Sequence, residues 1–320
     1  MAKKVILLLV AAILAVAIYI SLYFNTTIKT KQNLKLPSAN SAKIVKYLQD
    51  KNYTVGFLDR VFLNLLTKPK EGWIYINKKE LARYKFLKQI GSYANHYTPI
   101  TIIPGETTYN IIKHLNSKLN LNSNKLLQSY KTLATYKEGN FIANTYNIPI
   151  YFKEKDTIKF LVDTSTKSYK KISAKYFKNF NKQEWKKIII VASIIEKEAA
   201  NKEEMPLIAS VIYNRLKKKM RLQMDGTLNY GKYSHKKVTP QRIKNDKSSY
   251  NTYKFKGLPK EPICNVSTSS IRAAIKPADT KYLYFMKNSK GTHNFTSEYK
   301  SHIQNIKKRK KELKAPLKNK

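Results

Sequence analysis

The stretch Ile188-Ile-Ile-Val-Ala-Ser-Ile-Ile-Glu196-Lys-Glu198-Ala-Ala200 decides how this chain folds. Eight nearly unbroken apolar residues run straight into an acid. Asn181, with Glu184 three positions on and Trp185 next, marks a helix start. Ile188, Ile189, Ala192, Ile195 and Ala199 recur at helical spacing, which predicts one core-facing side. Glu196 and Glu198 stand about 200° apart around such a helix, so they point to opposite sides and form no carboxylate pair by themselves. Pro206 suits the first turn of a second helix, with Leu207, Ile208, Val211, Ile212 and Leu216 as its buried side. On periodicity alone Glu196 reads as an ordinary surface acid. The competing reading is an acid held in a dry pocket for chemistry.

Working outward, the N-terminus holds Lys3-Lys4 and then an apolar run from Val5 to Phe24. Twenty residues at about 1.5 Å each span a hydrocarbon core of about 30 Å. Ala15-Val-Ala17 resembles a cleavage site, so a signal peptide competes with an uncleaved anchor. The run continues apolar to Phe24, beyond what a signal peptide needs, which favours the anchor. Lysines lie on both sides of the span, so charge leaves its orientation open. Asn25 to Leu36 reads as a polar linker. Pro37-Ser-Ala-Asn-Ser41 before Ile44 and Leu48 matches Pro104-Gly-Glu-Thr-Thr108 before Ile111 and Leu115. Each reads as a turn, a hydroxyl cap and a short amphipathic helix. Trp73–Ile76 and Ile100–Ile103 read as strands. Tyr169, Ile172, Tyr176 and Phe180 lie at helical spacing and read as core.

The 320 residues carry a net charge of +42. Such a chain can attract nucleic acid, acidic lipid or an anionic polymer. The lysines are scattered, however; only Lys307–Lys311 is a cluster, which reads as a solvated helix end or tail. No basic helix or aromatic-basic motif of a nucleic-acid binder is present. Cys264 is the single cysteine, so no internal disulfide and no cysteine metal site can form. Neither a Gly-rich phosphate loop nor a Gly-x-Ser-x-Gly elbow occurs. His293 is more easily read as structural than as a substrate contact.

Further motifs follow in order. They are Arg221-Leu-Gln223-Met-Asp225-Gly-Thr-Leu-Asn-Tyr-Gly231, Tyr250-Asn-Thr-Tyr253, Gly257-Leu-Pro259, Ile271-Arg-Ala-Ala274, Tyr282-Leu-Tyr-Phe285 and Gly291-Thr-His-Asn-Phe295. With the Ala192-Ser-Ile-Ile-Glu196-Lys-Glu198 segment, this set resembles the catalytic domain of the endolytic murein transglycosylases (the MltG or YceG-like family), closely over roughly 187–298. The family's Pro after the Asp is replaced here by Gly226, and the second Pro of its Gly-Leu-Pro-Pro turn by Lys260. Both departures imply altered loop geometry. The resemblance implies an α+β architecture: an anchor over 1–25, a linker and LysM-like α/β region over 26–165, a catalytic domain over 166–305 and a basic tail over 306–320.

The same resemblance implies a lyase that cuts nascent peptidoglycan strands internally, and it makes Glu196 the catalytic acid. One Glu protonates the bridging oxygen and then takes the proton of the muramyl C6 hydroxyl, which closes a 1,6-anhydro ring. Proximity supplies much of the rate, and no second carboxylate, metal or cofactor is needed. Burial would keep such a Glu protonated near neutrality. Gln223 and Asn251 offer amides to sugar hydroxyls, Tyr250 and Tyr253 offer faces for pyranose stacking, and Asp225 supports a loop or assists the acid. Glu198 is expected to be structural, paired with a Lys or Arg. The implied partners are glycan strands and the peptidoglycan synthases, with the catalytic domain on the outer side of the inner membrane and no nucleic acid. A non-catalytic wall-binding scaffold is the alternative.

Overall fold

The computed structural model describes residues 2–31, 33–76, 78–92 and 97–314. The chain divides into two compact units, 1–97 with 149–151, and 98–148 with 152–320. Of the basic tail expected over 306–320, residues 315–320 lie outside the described residues.

In the first unit, α1 (Ala2–Asn25) is followed by β1 (Thr27–Lys29), β2 (Asn33–Leu36), α2 (Ser41–Gln49), α3 (Phe57–Leu66), β3 (Gly72–Tyr75), β4 (Glu80–Ala82) and α4 (Arg83–Ser92). β1 pairs antiparallel with β4, and β2 with β3. The α1 helix is 24 residues long and contains an 18-residue window of mean hydropathy 3.0, long and apolar enough to cross a membrane. Its side chains are exposed until the last turn. There Phe24 packs on Phe62, and the chain is tied into the unit through Tyr23. The core gathers Leu34 and Leu36 from β2, Ile44 and Leu48 from α2, Leu63 from α3, Ile74 from β3, and Phe86 and Leu87 from α4. Both short helices read from the repeat begin at their hydroxyl residue, but Asn40, one position earlier, makes the cap at α2 by accepting from Lys43 N.

The second unit begins with β5 (Tyr97–Ile102), α5 (Thr108–Leu119), α6 (Ser123–Leu133), β6 (Asn144–Pro149) and α7 (Glu154–Ser173). β5 pairs with β6, while α6 and α7 pack side by side. The boundary expected at 165/166 falls inside α7, and the two compact units divide near Tyr97. The α7 helix also stops before Tyr176 and Phe180, so the expected aromatic stripe runs out. Tyr169 is buried and donates to Gly139 O, and Phe180 turns onto Trp185 beyond the helix.

Next come α8 (Lys182–Glu198), α9 (Met205–Lys217), a 3₁₀ turn (Asp225–Leu228), a second such turn (Gly231–Tyr233), α10 (Pro240–Asn245) and α11 (Thr268–Ile275). An antiparallel hairpin of β7 (Tyr284–Lys287) and β8 (His293–Thr296) and the helix α12 (Tyr299–Lys314) close the chain. Asn181 caps α8 by accepting from Gln183 N and Glu184 N, as its spacing predicts. Periodicity predicts one buried face, yet every residue from Ile189 to Ile195 is buried. The reason is that α9, α11 and the first 3₁₀ turn pack on different sides of this helix. Lys307–Lys311 lie within α12, so the basic cluster is helical.

The first unit holds a buried ion pair. Arg83 Nη1 lies 2.9 Å from Asp59 Oδ2, with Asp59 0% and Arg83 6% exposed. Tyr23 Oη donates to Asp59 at 2.6 Å, and the guanidinium also reaches Thr54 O and Thr26 Oγ1. Removing one partner leaves a buried charge uncompensated. Asp59→Ala should therefore cost about 3–5 kcal/mol. The check is urea unfolding of the full chain in micelles, followed by circular dichroism.

Candidate active site

The two acids of α8 leave the helix on opposite sides, and each meets a different element. Glu196 Oε2 accepts from Ser267 N at 2.9 Å and from Ser267 Oγ at 2.8 Å. Ser267 is also the N-cap of α11, bonding Ser270 N. Beside Glu196 lies the turn at Gly105, whose φ of 83° suits glycine. A β-carbon there would come 3.9 Å from Glu196 Cγ. Asn265 fixes this turn, since Gly105 N donates to Asn265 O and Asn265 Nδ2 donates to Glu106 O. Glu196 is partly buried, and its contacts stitch α8 to α11.

Glu198 faces the 3₁₀ turn at Asp225. Gly226 N donates to Glu198 Oε1 at 2.7 Å. The residue borders a cavity of about 340 Å³, whose walls include Arg215, Gln223, Asp225, Tyr253, Tyr284 and His302. Glu198 lines that cavity and is partly exposed. Burial pushes this carboxyl up to about 7, helped by the nearby Asp225 charge and opposed by the Gly226 hydrogen bond and Arg215. The expected pairing of Glu198 with a Lys or Arg is corrected: its hydrogen-bond partner is the backbone amide of Gly226. Glu196 and Glu198 are both partly buried.

Arg215 is buried under this cavity floor. Its Nε donates to Leu283 O at 2.6 Å and its Nη1 to Leu222 O at 2.5 Å, so its hydrogen bonds go to backbone carbonyls. Gln223 is exposed in the cavity wall with a left-handed φ of 50°, a conformation that costs a residue of this type about 1–2 kcal/mol. Its N–H donates to Thr252 O at 3.2 Å, which ties the two loops together. Tyr253 Oη donates to Asp225 Oδ1 at 2.7 Å across the cavity mouth.

Two of the sequence-predicted binding residues are placed differently. Asn251 is wholly buried; its Nδ2 donates to Ile243 O and Asp246 O, and its Oδ1 accepts from Tyr253 N. Its amide holds the loop that carries Tyr253 and borders no cavity described above. Tyr250 stacks on Tyr230 with centroids 4.2 Å apart, and burial raises its hydroxyl pKa. Gln223, Asp225 and Tyr253 therefore stand with Glu198, while Glu196, Asn251 and Tyr250 do not line that cavity. Sequence reading passed over Ser267, whose Ser-Thr-Ser-Ser run before Ile271 is a cap signal. It also gave Arg215 no role, because nothing local shows a buried arginine.

A larger apolar cavity of about 670 Å³ lies between α5 and α6. Glu138 is at its end, accepting from Thr108 N and Thr108 Oγ1, and burial pushes its carboxyl up to about 7. That cavity touches neither Glu196 nor Glu198. Among the described residues no cluster of His, Cys, Asp or Glu could hold a metal ion. Cys264 is buried and donates to Ser193 O, a packed small side chain.

The family model described as "YceG-like family" matches residues 36–308. An endolytic murein transglycosylase of Bacillus subtilis (strain 168) is 40% identical over 187 residues, covering 58% of this chain and 49% of the relative. One of Streptococcus pneumoniae serotype 2 is 29% identical over 177 residues, covering 53% of this chain and 31% of the relative. The matches thus span about half the length, or less, of these curated relatives. A crystal structure of a yceG-like protein from Listeria monocytogenes has a TM-score of 0.55 and 27% identity, covering 86% of this chain and 99% of that one.

His293, read as structural, is clasped by Glu204. Its N–H and ring Nδ1 meet the two carboxylate oxygens at 2.6 and 2.7 Å, and Ala200 N adds a third bond. Burial alone would raise the Glu204 pKa; the bonds from His293 and Ala200 outweigh it and hold the pKa below the usual glutamate value. A depressed carboxyl contributes stability above the unfolded value of about 4.3 and loses it as pH falls through the folded one. Glu204→Gln should lower stability at pH 7 and flatten its decline on the acid side, as read by urea midpoints from pH 7 to pH 3.

Proposed function

The chain belongs to the YceG-like family, and from that premise we propose that it is an endolytic lytic transglycosylase of peptidoglycan with Glu198 as its single acid and base. What carries this reading is one observation: Glu198 borders a polar cavity together with Gln223, Asp225 and Tyr253, where burial pushes its carboxyl up to about 7. Glu196, the acid implied by the family resemblance, accepts two hydrogen bonds from Ser267 and does not line that cavity.

In the proposed reaction, protonated Glu198 gives its proton to the oxygen bridging N-acetylmuramic acid and N-acetylglucosamine. The bond from that oxygen to the muramyl C1 breaks, and a new glycan hydroxyl leaves. The Glu198 carboxylate then takes the proton from the muramyl C6 hydroxyl as its oxygen bonds to C1. The product is a 1,6-anhydro end, no water is consumed, and the acid is returned protonated. Gln223 lends its amide to sugar hydroxyls. Asp225 orients Tyr253, which borders the bound pyranose, and Asn251 holds the loop behind it. In this reading α1 is a retained single-pass anchor that keeps the enzyme beside growing strands, with the rest of the chain on the outer side. In the same reading residues 26–165 serve as the LysM-like glycan-binding region, and the peptidoglycan synthases are the partners.

The test uses purified uncrosslinked glycan strands, with product masses read by mass spectrometry. Glu198→Gln should lose about 10²–10⁴ in kcat, the usual worth of a general acid, while Glu196→Gln keeps activity within about tenfold. An inactive Glu196→Gln beside an active Glu198→Gln would return the acid to Glu196. Reducing ends in place of anhydro ends would make the enzyme a hydrolase. Because the acid must be protonated, the wild-type rate should fall as pH rises through about 7.

A further inference from the structure

Gly226 approaches Glu198 so closely that a β-carbon here would force a neighbour to shift. A β-carbon at this position would lie 2.6 Å from Lys197 Cβ and 2.7 Å from Glu198 Oε1. The backbone here is not in the left-handed region, so close approach alone calls for glycine. Its N–H belongs to the first turn of the Asp225–Leu228 3₁₀ segment, where a helix has no acceptor of its own to offer. The donor is therefore available to the carboxyl, and it is used at 2.7 Å.

We propose that the Gly226 backbone N–H is a positioning group that orients the Glu198 carboxyl and weakens its hold on the proton. The inference rests on the reading of Glu198 as the acid. A donor aimed at a carboxylate oxygen favours the ionised form. It acts against burial and the Asp225 charge, which favour the protonated form, and alongside Arg215, which favours ionisation. Tyr253, Tyr284 and His302 also border the cavity. Lys197, the next residue on α8, is turned to Ser234. The Gly226 bond offsets part of the burial and keeps the carboxyl able to release its proton near neutrality. It also fixes Oε1, so that the opposite side of the carboxyl faces the cavity.

Two variants separate the bond from the space. Gly226→Ala adds the β-carbon and keeps the N–H; Gly226→Pro, the residue the resembled family carries here, adds the β-carbon and puts a ring carbon in place of the N–H. The pH dependence of strand cleavage should show the alkaline limb of the Pro variant about one unit above that of the Ala variant, a tenfold difference in proton concentration. Equal limbs would overturn the proposal. In the unsubstituted full chain, the Gly226 amide proton should shift with pH at the same midpoint as the ¹³C-labelled Glu198 carboxyl; an amide that does not move overturns it even where both variants fail to fold. Full cleavage by Glu198→Gln would overturn the acid assignment and this proposal with it. Equal limbs beside an inactive Glu198→Gln would remove only the role of Gly226.

Discussion

A helix buried on nearly every side that ends in two glutamates must find a partner for each. Seven consecutive residues of α8, Ile189 to Ile195, are out of contact with water. Its last turn therefore emerges among protein groups, and an unmet carboxylate there would cost several kcal/mol. Ser267 meets Glu196 from the cap of α11, and Gly226 meets Glu198 from the 3₁₀ turn. The two glutamates thus fix where α11 and the Asp225 turn sit. The loop of Gln223 follows, since its N–H is tied to Thr252 and its neighbour Asp225 to Tyr253. The cavity is what remains between parts placed this way.

The same division separates structural duty from chemical opportunity. A carboxyl with two donors from one serine is committed to joining two helices. A carboxyl with one backbone donor and an open side is held in place and still has a face to offer. Arg215 sharpens the contrast, because its charge is close enough to be felt while its hydrogen bonds go to Leu222 and Leu283 carbonyls. The cation is therefore present without forming a salt bridge with Glu198.

Much of this was legible in the sequence. The Asn181 cap, the Pro206 helix start, the strands at Trp73 and Ile100, and the opposed directions of Glu196 and Glu198 all follow from local spacing, and all appear. Which acid faces the cavity was not legible, because the answer depends on residues 28 positions away for Glu198 and 71 away for Glu196. Burial of α8 on all sides has the same origin. The Glu204–His293 clasp spans 89 positions and leaves no local trace. Asn251 misled for a different reason: an amide suited to a sugar is equally suited to two backbone carbonyls, and only burial tells them apart.

The ion pair of Asp59 and Arg83 carries a mechanical consequence. Because Tyr23 donates to Asp59 and lies with its ring 4.3 Å from the Arg83 guanidinium, the final turn of α1 cannot swivel against the first unit without tearing that cluster apart. Were α1 seated in a bilayer, as proposed, the joint would behave as a stiff elbow. Any tilt or roll imposed on the helix by the lipid would be handed on to the first unit as a whole, so membrane thickness would steer its bearing.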